Sequence, residues 1–247
     1  MSFTSLAFVA FFAVVYPGYL LMQGRLRLQN LWLLAASLVF YGWWDWRFLL
    51  LMALTMGIDY IIALGLESPW FAARRGALLA FSMISNLGIL GVFKYSNFFL
   101  DNLRAAAAAA GVDTAGWATL EIVLPVGISF YTFQSMSYTI DVYRGHLKAA
   151  RSFADFSLFV SLFPQLVAGP IERATHLMSQ VLNPRVIRWP QVQAGLFLVA
   201  WGYFKKMVIA DNMSPIANAV YNDLGAASGL DITLGTLAFA FQIYGDF

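Results

Sequence analysis

Apolar runs close to the ~20 residues that cross a hydrocarbon core follow one another along this chain, separated by short polar breaks. About six runs approach that length and one further piece falls short of it. In lipid every backbone N–H and C=O must find a partner within the protein, so a single span of this kind is a helix. The sequence therefore predicts an all-α, polytopic transmembrane helix bundle, a single membrane domain over residues 1–247. Composition agrees: 60% of the residues are hydrophobic and 11% charged, against roughly 25% charged in soluble domains.

Net charge is +2, and Lys and Arg stand singly or in pairs with no basic stripe, which argues against nucleic acid. The lipid bilayer is the partner that composition implies. Cysteine is absent, which excludes disulfides, thiolate chemistry and cysteine-bearing zinc sites. His146 and His176 are the two histidines, so a multi-histidine metal centre is not expected. No Ser/His/Asp set, glycine-rich phosphate loop or pair of carboxylates can be assembled, and no bound cofactor is expected.

Met1–Met22 lacks the basic start of a signal peptide, since Arg25 is the first basic residue, and reads as a retained first span. The positive-inside rule puts Arg25 and Arg27 in the cytoplasm and the N-terminus outside. Leu28–Trp44 is the second span; Tyr41, Trp43, Trp44 and Trp46 at its end form an interfacial aromatic belt. Phe48–Leu66 returns inward to Arg74 and Arg75, and Ala77–Phe93 goes out again. Residues 94–121 are expected to hold a short helix at the outer surface, around Ala105–Ala110. Ile122–Tyr143 then crosses inward to the basic loop of Arg144, Lys148 and Arg151.

Phe153–Val167 is too short to span comfortably and is flanked by positive charge on both sides, so it reads as a re-entrant segment that returns to the cytoplasmic face. Its turn and exit limb is Phe163–Arg173, where Pro164 and Pro170 each remove a backbone donor and Gly169 loosens the chain. Such a break is tolerated only where protein or a water-filled cavity surrounds it, which makes the stretch a candidate cavity lining. Ile171–Leu182 is an amphipathic helix, apolar at Ile171, Ala174, Met178 and Val181, with a basic polar side suited to the membrane interface. Val192–Ile209 and Ile232–Phe247 are further hydrophobic helices. Lys205 and Lys206, near the end of the first, are expected to snorkel or to face a cavity. The last run has no polar flank, so the chain is expected to be the N-terminal part of a longer membrane protein, truncated at its C-terminus.

Two readings stand for Asp59, inside the third span: a functional acid, or a structural partner for polar groups on neighbouring helices, the commoner case. Gly127, Ser129, Gln134 and Ser137 either line a polar path or let helices pack closely. His146 and His176 read as polar surface groups.

Several segments, in order, resemble the membrane-bound O-acyltransferase (MBOAT) family, in its bacterial alginate O-acetylation branch. They are YGWWDWRF (Tyr41 to Phe48), FKYSNFF (Phe93 to Phe99), LPVGISFYTFQSMSYTIDVYRG (Leu124 to Gly145), FPQLVAGPIER (Phe163 to Arg173), FKKMVIADN (Phe204 to Asn212) and FQIYGDF (Phe241 to Phe247). The resemblance implies an O-acyltransferase of the bacterial inner membrane that moves an acyl group, acetyl in this branch, from a cytoplasmic donor to an extracytoplasmic polysaccharide such as alginate. The donor, acetyl-CoA or another activated acyl carrier, is a substrate. The implied partners are an extracytoplasmic acetyltransferase and the polysaccharide biosynthesis machinery.

The same resemblance implies a lining role for Pro164, Gln165, Gly169, Pro170, Glu172 and Arg173, together with Gln134 and Asp246. The family's catalytic histidine lies in a Trp-His segment beyond the last matched motif. Neither His146 nor His176 inherits it, no catalytic residue is expected within the chain, and the isolated chain is expected to be inactive. Gly245 also stands where the family usually has a bulky aromatic. The rival from another class is a transporter or channel subunit without covalent chemistry, which accounts for the broken helices but not for the ordered motifs.

Overall fold

The computed structural model describes residues 1–113, 123–169, 172–225 and 227–246, and among them every regular element is helical. Expectations that rest on residues 114–122, on Pro170 and Ile171, or on Phe247 lie outside the described residues. Contacts divide the chain into one compact unit of residues 7–185, with Met1, and a second of residues 2–6 and 186–247.

The first unit opens with α1 (Leu6–Leu21) and α2 (Leu26–Gly42). Pro17 lies inside α1, and α2 hydrogen-bonds back to α1 carbonyls on either side of it. Trp32 Nε1 donates to the Val15 carbonyl at 2.9 Å and Gln29 Nε2 to the Tyr19 carbonyl at 3.2 Å. Gly18 makes this approach possible, because a Cβ there would sit 2.7 Å from the Trp32 ring.

α3 (Arg47–Glu67) is 21 residues long, a rise of ~31 Å that matches a hydrocarbon core. After a 3₁₀ turn (Pro69–Arg74) comes α4 (Arg75–Ala109). α3 and the helical stretch from Pro69 to Ala109 are each long and apolar enough to cross a membrane. α4 differs from the sequence expectation. Its 35 residues join the Ala77–Phe93 span to the alanine run in one helix, and alanine, the best helix former, gives no reason to stop between them.

α5 (Ile128–Arg144) begins later than the Ile122 predicted for its span, because Pro125 and a left-handed Gly127 (φ 76°) precede it. It ends at Gly145 (φ 77°), with the His146 N–H returning to the Asp141 carbonyl at 2.9 Å, a glycine C-terminal motif. The following loop is tied down at several points. The Glu67 carboxylate accepts from the Ala149 N–H at 2.7 Å and from Arg151 at 2.8 Å, Tyr138 Oη accepts from the Ala150 N–H at 2.8 Å, and Tyr60 Oη donates to the Arg151 carbonyl at 2.9 Å.

Helix α6 (Phe153–Ser161) starts at a Ser152 cap whose hydroxyl accepts from the Asp155 N–H. α7 (Phe163–Ala168) and α8 (Ala174–Leu182) complete the unit. α8 buries Ala174, Met178 and Val181, three of the four apolar positions read from the sequence.

The outer surface is apolar and the core holds polar groups beside apolar ones. Leu50, Ile61 and Ile84 are 66%, 70% and 71% exposed, whereas Asp59, Ser82 and Thr139 are 0% exposed within a core that also buries Met52 and Phe156. Apolar groups outside and bonded polar groups inside are expected when the solvent is lipid.

In the second unit α9 (Trp189–Phe204) runs into a π-helical stretch (Lys205–Ala210) and on into α10 (Asp211–Tyr221). The predicted Val192–Ile209 helix is therefore part of a longer helical run interrupted by a change of pitch. α11 (Gly229–Asp246) packs back against α10 and the π stretch. Two glycines permit the contact: a Cβ at Gly235 would lie 2.8 Å from Val220 Cβ, and one at Gly245 would lie 2.8 Å from the Lys205 carbonyl. Gly245, the departure from the family pattern, thus stands where a bulky aromatic would collide with backbone.

Candidate functional site

Within the stretch Phe163–Arg173, where the sequence puts a break through Pro164, Gly169 and Pro170, helix α7 ends at Gly169, and a further interruption lies just before the stretch. Leu162, with ψ 113°, separates α6 from α7, and Pro164 occupies the first turn of α7. Proline costs nothing there, since the first N–H groups of a helix have no intrahelical partner. The interruption falls where the chain finds other hydrogen bonds. The Phe163 N–H donates to Ser37 Oγ at 3.2 Å, and the Phe159 carbonyl accepts from Gln134 Nε2 at 3.5 Å.

Phe163 holds the break by its ring. It is 3% exposed and meets Phe11 edge-on at 5.3 Å, with Phe40 at 5.5 Å and Phe8 at 6.4 Å. The other side of α7 rests on the start of α5. A Cβ on Gly127 would be 2.8 Å from the Leu166 carbonyl, so this position needs glycine both for its positive φ and for the close approach.

Two of the residues singled out in the sequence come together here. Gln165 Nε2 donates to Gln134 Oε1 at 3.3 Å, and Gln134 is 4% exposed. The pair, one amide from α5 and one from α7, is a polar contact inside an otherwise aromatic and aliphatic environment. Gly169 follows α7 in an extended conformation (φ −80°, ψ 156°). Its role is spatial, because a Cβ would approach Gln165 Cα to 2.7 Å. Pro164 is exposed, and Pro170 is outside the described residues.

Glu172 and Arg173 stand apart from the amide pair. The Glu172 carboxylate lies 3.3 Å from His176 Nδ1, with Gln180 Nε2 3.3 Å from the other ring nitrogen. Arg173 is exposed at the start of α8. His176 is thus one member of a row of surface polar groups on α8, as read from the sequence.

Asp246 belongs to the second unit, where it meets Lys206 at 2.7 Å; Asp211 meets the same ammonium at 2.8 Å. Asp246 and Lys206 each stand out in the sequence, but no residue spacing joins them. Residues i and i+5 diverge on an α-helix, and only the π stretch, in which the Asp211 N–H bonds to the Lys206 carbonyl, brings these two round to one side. Lys206 thereby meets two carboxylates, which offsets the cost of a cation among apolar helices.

A shallow apolar groove of ≈450 Å³ along α4, lined by Gly88, Gly91 and Phe99 among others, contains none of these groups. Among the described residues, no three His, Cys, Asp or Glu side chains gather as metal ligands.

No family model matches the chain, and no solved structure matches it. Curated proteins do. The chain is 39% identical over its full length to a protein of Azotobacter vinelandii named "Probable alginate O-acetylase AlgI", covering 49% of that protein. It is 38% identical to a protein of the same name from Pseudomonas aeruginosa, covering 47% of it. A "Peptidoglycan O-acetyltransferase" of Helicobacter pylori is 31% identical over 99% of the chain and 51% of its own length. The chain thus spans about half the length of the curated relatives it matches. Identity at this level over the whole chain to proteins of these names agrees with the resemblance to the membrane-bound O-acyltransferase family.

Proposed function

We propose that the protein to which this chain belongs is a membrane O-acetyltransferase that moves an acetyl group from a cytoplasmic donor across the inner membrane, for O-acetylation of an extracytoplasmic polysaccharide such as alginate. The observation that carries this reading is the end-to-end identity with alginate O-acetylases and with a peptidoglycan O-acetyltransferase. The donor is acetyl-CoA or another activated acyl carrier, and an extracytoplasmic acetyltransferase completes the transfer within the polysaccharide machinery. The N-terminus lies outside, α6 and α7 form a re-entrant hairpin open to the cytoplasm, and α8 lies in the interface.

The geometry supports a lining role for the α5–α7 contact. Acetyl transfer through a bilayer requires polar groups shielded from hydrocarbon, and it requires donors near a developing oxyanion. Gln134 and Gln165 supply amide dipoles at a helix break that protein surrounds. The histidine that activates the acceptor is neither His146 nor His176, since both are exposed, with carboxylates 3.7 and 3.3 Å away at the edges of their own helices.

The test is polysaccharide acetylation in the producing strain. Deletion of the gene is expected to reduce acetyl esters, measured by proton NMR of the purified polymer, to background. In the restored gene Gln165→Ala is expected to reduce acetylation about tenfold at unchanged protein level, the equivalent of one lost hydrogen bond. Wild-type acetylation in the deletion strain would refute the function; wild-type acetylation with Gln165→Ala would refute the lining role alone.

A further inference from the structure

Asp59 is 0% exposed in the middle of α3, and among the described contacts no Lys, Arg or His side chain meets it. Its neighbours come from two other helices and are neutral. Ser82 Oγ of α4 lies 2.6 Å from Oδ1, Asn86 Nδ2 of α4 lies 2.9 and 2.8 Å from the two carboxylate oxygens, and Ser135 Oγ of α5 hydrogen-bonds to Oδ2. A negative charge so enclosed is costly unless something neutralises it.

The oxygens around it point to what does. Asn86 Oδ1 is buried and has no hydrogen-bond partner, although the same amide donates to Asp59. Each serine hydroxyl carries two lone pairs besides the proton it now gives. When the two hydroxyls turn and the Asn86 amide presents its oxygen, the cluster becomes a hard, all-oxygen ligand set carrying one negative charge.

We propose that Asp59, Ser82, Asn86 and Ser135 form a binding site for a single dehydrated monovalent cation, of sodium size, between α3, α4 and α5. A divalent ion is a poor match: calcium takes 6–8 oxygens, commonly several carboxylates, and magnesium keeps its waters, whereas this site has one carboxylate. Binding makes the cluster neutral and replaces donor contacts by ligation, so the cation braces the three helices against one another.

The experiment uses the full-length gene product in detergent, exchanged into choline chloride, with thermal unfolding followed by tryptophan fluorescence. Sodium chloride replacing choline chloride at constant ionic strength is expected to raise Tm saturably, by about 2–5 °C at a hundred times the half-saturating concentration. Asp59→Asn, which keeps the size of the side chain but removes its charge and one acceptor oxygen, is expected to abolish the response. Ser135→Ala keeps the carboxylate and is expected to raise the half-saturating concentration about tenfold. No difference between sodium and choline in the wild-type protein would overturn the proposal, and so would an unchanged sodium response in Asp59→Asn or Ser135→Ala.

Discussion

Helices α5 and α9 are nearly equal in length, 17 and 16 residues, but bury their surfaces in opposite ways. α5 reads ISFYTFQSMSYTIDVYR, rich in hydroxyls and amides, and buries Tyr131, Thr132, Gln134, Ser135, Tyr138 and Thr139 among others. α9 reads WPQVQAGLFLVAWGYF, almost wholly apolar after its first turn, and buries nothing. In water the assignments would be reversed. In lipid an apolar side chain gains little by leaving the solvent, while a polar one gains its hydrogen bonds, so buried polar groups mark which helix faces the interior.

The comparison breaks most readily at Asp59. Asp59→Leu adds hydrophobicity to a membrane helix yet strands the Ser82, Asn86 and Ser135 donors, each at a cost of about 1–3 kcal/mol. A net loss near 3 kcal/mol, or roughly 6–12 °C in Tm, is expected. The converse change, Phe197→Ala on α9, removes a large side chain that is 69% exposed, and its effect is expected to stay below about 0.5 kcal/mol. Equal effects from the two would end the distinction between the helices.

The smallest effect belongs to a pair outside both helices. Arg47 hydrogen bonds hold the Asp45 carboxyl below its ordinary value of 3.8. Because the folded-state value is depressed, this contribution is fully present above the ordinary value and fades as pH falls through the lower, folded one. Asp45→Asn is therefore expected to leave Tm within a degree or so of wild type at neutral pH, for an exposed ion pair is worth little. Any difference between the two proteins should vanish in strong acid. A difference that grows on acidification would contradict the sign of the shift.

The sequence made much of this legible, and the reasons differ by element. α3 and the apolar face of α8 could be read directly, because run length and helical spacing are local properties. The structural reading of Asp59 was also available, since a lone acid in a span needs polar neighbours, but the identity of those neighbours depends on helices that pair across the chain. Prolines and a glycine mark Phe163–Arg173 as broken helix, and α7 does end at Gly169; the interruption at Leu162 is not legible, because the Ser37 hydroxyl and the Gln134 amide decide where the backbone finds substitute partners. The Lys206–Asp211 contact was hidden because it depends on a change of helical pitch that no residue spacing announced.

The hydrogen bonds of Asp59 also impose an order on synthesis. Asp59 leaves the ribosome 23 and 27 residues ahead of Ser82 and Asn86, and 76 residues ahead of Ser135. At ~5–20 residues per second its last partner follows ~4–15 s later. During that interval α3 must enter or wait beside the bilayer with a carboxylate that costs roughly 2.5–3.5 kcal/mol at a span centre. The insertion machinery is therefore expected to hold α3 until α4 and α5 have arrived.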